Sequence, residues 1–233
     1  MRKHHWIRIA VIAASLFVAA CASAETLLER NAQLIASPNV AEDLKLTDAQ
    51  LTERNKLFEA FQTFRSETVT KMQALPQDKQ EAMAAEIESH RIDLDRKLVT
   101  LLTETQSNRL MQIGIQQEGF VALQDDLVAK QVGLTPAQRA KIKTICDTVM
   151  KAQDEYQAAV GEALGKIPEP TGSDDASIKA YEAKQQAVLK SMKPQENKFL
   201  AAKESARKQI YTLMTPAQRT KWGAIQGKPL KVA

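Results

Sequence analysis

Apolar residues recur along most of this chain at steps of three and four. Leu57, Phe58, Phe61, Phe64, Thr68, Met72 and Leu75 form one such series, and Met83, Ile87, Leu94, Leu98 and Leu101 a second. That spacing places each series on one side of an α-helix. Pro76 separates the two, and Asp78 followed by Glu81 offers a cap for the second, so residues 48 to 102 read as an antiparallel helical hairpin. A helix of about 28 residues spans roughly 42 Å, which predicts an elongated molecule. A third helix is expected from Thr135 to Leu164, followed by a loop over 165–175, where Pro168, Pro170 and Gly172 exclude regular structure. A fourth segment runs from Ala176 to Leu213 with Tyr181, Val188, Met192, Phe199, Ala206, Ile210 and Leu213 on one side, and Pro194 should kink or break it.

Turn chemistry for a sheet is missing. From residue 25 onward the first glycine is Gly114, and only Pro38 and Pro76 interrupt the stretch before it, while Ala, Gln, Glu, Lys and Leu dominate. Strands need Gly, Asn, Asp or Pro clusters to reverse direction. The fold class is therefore all-α, built from long antiparallel hairpins.

One five-residue pattern occurs four times: Leu46 to Gln50, Leu102 to Gln106, Leu134 to Gln138, and Met214 to Gln218, or L/M-T-x-x-Q. A threonine at the N-cap accepts from the backbone N–H three residues on, and the glutamine there reaches back to the threonine N–H. Thr47 with Gln50, Thr103 with Gln106, Thr135 with Gln138 and Thr215 with Gln218 are thus structural capping pairs. Pro136 and Pro216 stand at the first helical position, where a missing N–H costs nothing. The first and third copies lie 88 residues apart and the second and fourth 112. Val40, Ala41, Leu44 and Leu46 match Val128, Ala129, Val132 and Leu134, and Arg109, Leu110 and Ile113 match Lys221, Trp222 and Ile225. This predicts a tandem duplication, one repeat over 25–123 and another over 124–233.

The first 24 residues read as an address. Arg2, Lys3, His4, His5 and Arg8 precede an uncharged apolar run from Ile9 to Ala20, too short to span a bilayer and typical of a secretory signal peptide. Two cleavage sites fit: Ala22-Ser23-Ala24 for a soluble product, or Val18-Ala19-Ala20-Cys21, in which Cys21 would carry a lipid. Either way Cys146 is the single remaining thiol, and its helical spacing with Ile142, Ile145 and Val149 marks it as a small buried hydrophobe. Removing the leader also changes the charge. Of the 32 basic side chains, 29 remain against 28 acidic ones, which gives no basis for nucleic-acid binding by bulk charge. Residues 25–123 carry 11 basic and 16 acidic groups and 124–233 carry 18 and 12, so the halves have opposite sign. Such halves would favour docking on each other, or the basic half would face an acidic partner.

Four LTxxQ motifs at helix starts, behind a signal peptide, in a Gln-rich all-helical chain, resemble the Spy/CpxP family of bacterial periplasmic proteins. The resemblance covers about residues 38 to 226. It implies a periplasmic cradle of long antiparallel helices that binds unfolded or partly folded envelope proteins without ATP, or that damps envelope-stress signalling. Members of that family are generally smaller homodimers with one motif pair per subunit. Two pairs in one chain suggest a monomer acting as a pseudo-dimer, or a homodimer of larger subunits. A client surface needs adaptable apolar area, and Phe58, Phe61, Phe64 and Met72 are the candidates, although any hairpin core requires the same residue types.

Catalytic equipment is sparse. Past the leader there is one histidine, His90, and no GxGxxG, P-loop or HExxH pattern, so no catalytic residue and no cofactor are assigned. Glu86, His90 and Asp93 fall on one helical face with metal-ligand spacing, yet His90 also borders the Ile87 and Leu94 stripe among ordinary surface acids, and no metal ligand is assigned. Two further readings stand beside the chaperone one. The first is a structural or partner-binding helical module of the envelope, whose only membrane link would be a lipid anchor, and the second a metal-responsive sensor.

Overall fold

The computed structural model describes residues 25–73, 75–168, 170 and 175–230, and the side chains of all of these except Asp78 and Asp175. The leader, Cys21 and Gly172 lie outside the described residues. Ten α-helices and two 3-10 turns account for the described chain, with no strand among them, so the fold is all-α. The helices are α1 (Leu27–Arg30), α2 (Pro38–Asp43), α3 (Asp48–Met72), α4 (Gln77–Thr100), α5 (Glu104–Glu118), α6 (Asp126–Val132), α7 (Pro136–Gly165), α8 (Asp175–Ser191), α9 (Lys193–Leu213) and α10 (Pro216–Ile225). The 3-10 turns are Ala32–Ala36 and Gly119–Gln124.

Two boundaries have clear local causes. The break in the long fourth segment falls at Met192, because Pro194 is tolerated in the first turn of α9, where its missing N–H is not needed. Helix α4 starts one residue before Asp78: Pro76 holds the cap position and no side chain bonds there, so the expected Asp78 cap is not what starts this helix.

The chain forms two compact units. One consists of residues 25–133 with 216–230, and the other of 134–215. Compact units and sequence repeats are different partitions of the chain, since α10 packs on α6 and so belongs with the N-terminal elements.

In the 25–133 unit, α3 packs along α4, and α1 and the first 3-10 turn pack on α4 and α5. Ala32, Ile35, Val40, Leu44, Leu94, Leu98, Leu110 and Ile113 form its core. Full burial of a leucine such as Leu98 or Leu110 contributes about 2 kcal/mol. Asp125 ties two helix starts together: its Oδ1 accepts from the N–H of Leu127 (2.9 Å) and Val128 (3.3 Å), and its Oδ2 from Leu27 N–H (2.9 Å). The chain after α10 is held on α5. Gln116 Nε2 donates to the carbonyls of Gln226 (2.5 Å) and Lys228 (2.7 Å), its Oε1 accepts from Leu230 N–H (3.0 Å), and Leu230 packs on the core.

In the 134–215 unit, α7 and α9 pack on each other and α8 packs on both. Ile142, Cys146 and Val149 of α7 are buried, as are Met192, Ala206, Ile210 and Met214. Tyr156 and Phe199 lie parallel with ring centroids 6.1 Å apart.

Candidate functional site

The repeated motif builds paired junctions. Thr47 Oγ1 accepts from Gln50 N–H (3.2 Å) while Thr47 N–H donates to Gln50 Oε1 (2.9 Å). The same reciprocal pair forms at Thr103 with Gln106 (3.3 and 2.9 Å) and at Thr135 with Gln138 (3.2 and 2.9 Å). Thr215 immediately precedes α10. Each box satisfies two of the orphan groups at a helix start.

The glutamines do more than cap. Gln50 Nε2 donates to Leu101 O (2.7 Å), Gln106 Nε2 to Leu44 O (3.2 Å), Gln138 Nε2 to Leu213 O (2.7 Å) and Gln218 Nε2 to Gly133 O (2.7 Å). Leu101, Leu213 and Gly133 each stand two residues before the threonine of another motif copy, and Lys45, whose carbonyl Gln106 also approaches at 3.4 Å, does so too. Each amide therefore ties the chain leading into one motif to the helix started by another. Only an amide side chain carries both the acceptor for the cap and the donor for the tie; a glutamate supplies the first and not the second.

Sequence reading found these threonines and glutamines but missed a further box. Thr26 and Glu29 form the same reciprocal pair at the start of α1 (3.2 and 2.7 Å). The T-x-x-E pattern is visible in the chain, but it has a glutamate where the repeated motif has its glutamine. With no amide, Glu29 makes no tie and instead faces Arg96 (3.4 Å), and its bond to the Thr26 backbone lowers its pKa below the ordinary carboxylate value.

The four aromatic and methionine candidates divide. Phe58 and Phe61 are half-buried and pack against the 25–133 core, and Phe64 stacks on His90 with centroids 3.8 Å apart and planes 18° from parallel. Met72 is half-buried at the last turn of α3. Between Lys45 and Asp93 the only fully buried described residue is Thr68, so the far part of the α3 and α4 pair has a half-covered apolar stripe along its length. Among the described residues the large apolar side chains most open to solvent are Leu127, Leu189, Leu200 and Tyr211, none of which periodicity singled out. Leu200 and Tyr211 are eleven residues apart on α9, three turns, and so share a face. A hollow of about 500 Å³ beside the first motif is lined by apolar Ala36, Pro38, Ala41, Leu46 and Leu51 and by Glu42, Lys45 and Arg54.

Of the three residues with metal-ligand spacing, His90 and Asp93 have other partners. His90 Nδ1 lies 3.1 Å from Glu86 O, and Asp93 pairs with Lys97 at 2.8 Å, which lowers the Asp93 pKa. Among the described residues no group of three His, Cys, Asp or Glu side chains is placed to hold a metal ion. Cys146 is fully buried, and desolvation pushes its thiol up to about 12.

A charged cluster unforeseen from the sequence lies where α1 meets α4. Arg91 donates to Glu88 through Nε (2.9 Å) and Nη2 (2.7 Å), to Glu25 Oε2 (2.9 Å), and through Nη1 to Asp95 Oδ2. Those carboxylates, the Glu88 bond foremost, raise the Arg91 pKa. Burial pushes Asp95 up to about 6, opposed by the Gln33 side chain and Arg91 and reinforced by Glu25 and Glu88. Next to the cluster, Arg30 pairs with Glu118 (3.3 Å), and Asn31 Nδ2 donates to Leu27 O (2.9 Å) and Glu118 Oε1 (2.8 Å).

Comparison with protein families, with curated proteins and with solved structures found no match. No helix among the described residues is long and apolar enough to cross a membrane.

Proposed function

We propose that this chain is an exported, ATP-independent chaperone-like or envelope-stress adaptor protein of the Spy/CpxP kind, built as two tandem LTxxQ repeats of long helical hairpins. The observation that carries this reading is the uneven burial of α3 and α4. Their ends near Gln50 and Gln106 are braced and lie on the core, whereas the far part has apolar side chains only half covered. Such a surface can take up apolar segments of many sequences, because a methionine side chain adapts to irregular contacts and a half-covered stripe does not need a shape-matched partner. Phe64 and Met72 are its leading contacts, with Phe58 and Phe61 shared between surface and core. The product would act in the periplasm, either free or anchored through a lipid on Cys21.

The test is suppression of light scattering by several unrelated aggregating proteins at near-stoichiometric ratio, with no nucleotide added. Suppression that weakens in Phe64→Ser and Met72→Ser, with melting close to that of the unaltered chain, is the expected result. If every client aggregates unhindered, the chaperone reading fails, and recovery of one envelope protein in a pull-down would favour a dedicated partner-binding module.

A further inference from the structure

Three carboxylates, Glu25, Glu88 and Asp95, share the single guanidinium of Arg91. The side chains of Glu25 and Asp95 are 2% and 0% exposed, and Glu25 Oε1 and Asp95 Oδ1 are buried without a well-formed hydrogen bond; the Gln33 side chain acts on Asp95 as a neutral donor only and brings no charge to the site. Neighbouring cations are already committed: Arg96 to Glu29, Lys97 to Asp93, and Arg30 to Glu118 and to the Glu25 carbonyl (3.1 Å). A buried carboxylate oxygen without a well-formed hydrogen bond costs several times what an ordinary hydrogen bond contributes, so an excess of two negative charges here calls for a further donor carrying positive charge.

Residue 25 itself can supply it. Ala22-Ser23-Ala24 is a signal-peptidase pattern, and hydrolysis after it makes Glu25 the first residue. We propose that the buried carboxylates of Glu25 and Asp95 are the receptor for the α-ammonium that cleavage between Ala24 and Glu25 creates. In that step a signal peptidase adds one water across the peptide bond. Ala24 leaves as a carboxylate, and the Glu25 nitrogen becomes an amine that is protonated at neutral pH. The new cation arises on the residue whose carboxylate is already fixed beside Asp95 by Arg91 and whose carbonyl is fixed by Arg30. It adds one positive charge and three donors to a site that holds two acceptors without a well-formed hydrogen bond. Cleavage ahead of Cys21 would leave an uncharged peptide nitrogen at the same place, so a lipidated product would lack this ion pair. The inference rests on the export reading above and concerns where the leader is cut, not what the protein binds.

Two chains test it, one beginning at Glu25 and one keeping Ala22-Ser23-Ala24 ahead of it. By ¹⁵N NMR the Glu25 α-amine should titrate at least one unit above the ordinary range of about 7.7–8.0. In Asp95→Asn, and separately in Glu25→Gln, it should fall back toward that range. The denaturation midpoint of the Glu25-start chain should exceed that of the extended chain, and the difference should shrink in both variants. An α-amine titrating in the ordinary range, with equal midpoints, overturns the proposal. N-terminal sequencing of the exported protein is a separate arm: a terminus other than Glu25 overturns the cleavage while leaving the titration result, and the chaperone assay, to stand on their own.

Discussion

Gln50 and Gln106 donate to each other. Nε2 of the first lies 2.8 Å from Oε1 of the second, and the return bond is 3.1 Å, although the two residues are 56 apart in the chain. Both oxygens also accept from the threonine N–H of their own motif. Replacing Gln50 by Glu keeps the cap acceptor but removes the donor to Leu101 O and sets a carboxylate oxygen against Gln106 Oε1. A loss of about 1–3 kcal/mol in denaturant-measured stability is expected. In the Gln50→Ala and Gln106→Ala cycle, the double variant should differ from the sum by about 0.5–3 kcal/mol. Strict additivity would refute the mutual bond.

Thr135→Ala should cost the 134–215 unit about 1 kcal/mol by removing one cap, and Thr26→Ala should do the same for the start of α1. Melting curves set against an exposed control such as Thr144→Ala decide this.

Cys146 should resist thiol reagents at pH 8 in the native protein and react at once in denaturant. Burial both blocks access and holds the thiol protonated up to about 12. Rapid native labelling would contradict the packing of α7.

Gly114→Ala would ordinarily stabilise a helix interior by up to about 1 kcal/mol. Here a Cβ would come within 2.8 Å of the Asn31 Cγ, and Asn31 is held by Leu27 O and Glu118. The substitution should therefore destabilise, and Asn31→Ala in the same chain should recover part of the loss. An increase in melting temperature would show that the contact between α5 and the segment after α1 is looser than it stands.

Asp95 has its folded pKa raised to about 6 from the ordinary value of 3.8. A carboxyl raised in this way binds more protons when folded. In the chain that keeps residues ahead of Glu25, stability should fall as pH rises from about 4 through 6, and Asp95→Asn should flatten that slope. In the chain starting at Glu25, the same fall should shift to lower pH or vanish. Denaturation midpoints taken across pH 4–7 measure both.

Much of the architecture was legible in the chain because helices announce themselves locally. The steps of three and four through Phe58, Phe61 and Phe64, the lack of turn residues, and the Thr and Gln spacing each follow from interactions spanning no more than about four residues. All-α character, the helix starts at Asp48, Glu104 and Pro136, and the burial of Cys146 were readable for that reason.

What the sequence could not decide is whatever depends on residues far apart in it. Periodicity marks the α3 stripe as apolar but cannot say how much of it a neighbour covers, so Phe58 and Phe61 on the core, Phe64 against His90, and the open Leu200 and Tyr211 emerged only in three dimensions. The second hydrogen bond of each motif glutamine runs to a carbonyl 51 to 85 residues away, a pairing that no local pattern records. The Arg91 cluster likewise joins Glu25 to α4 across 66 residues, and the burial that leaves two of its oxygens without a well-formed hydrogen bond is a property of the packed structure. Local hydrogen bonding sets where each helix begins. Desolvation and contact, which depend on every element at once, set what those helices can do.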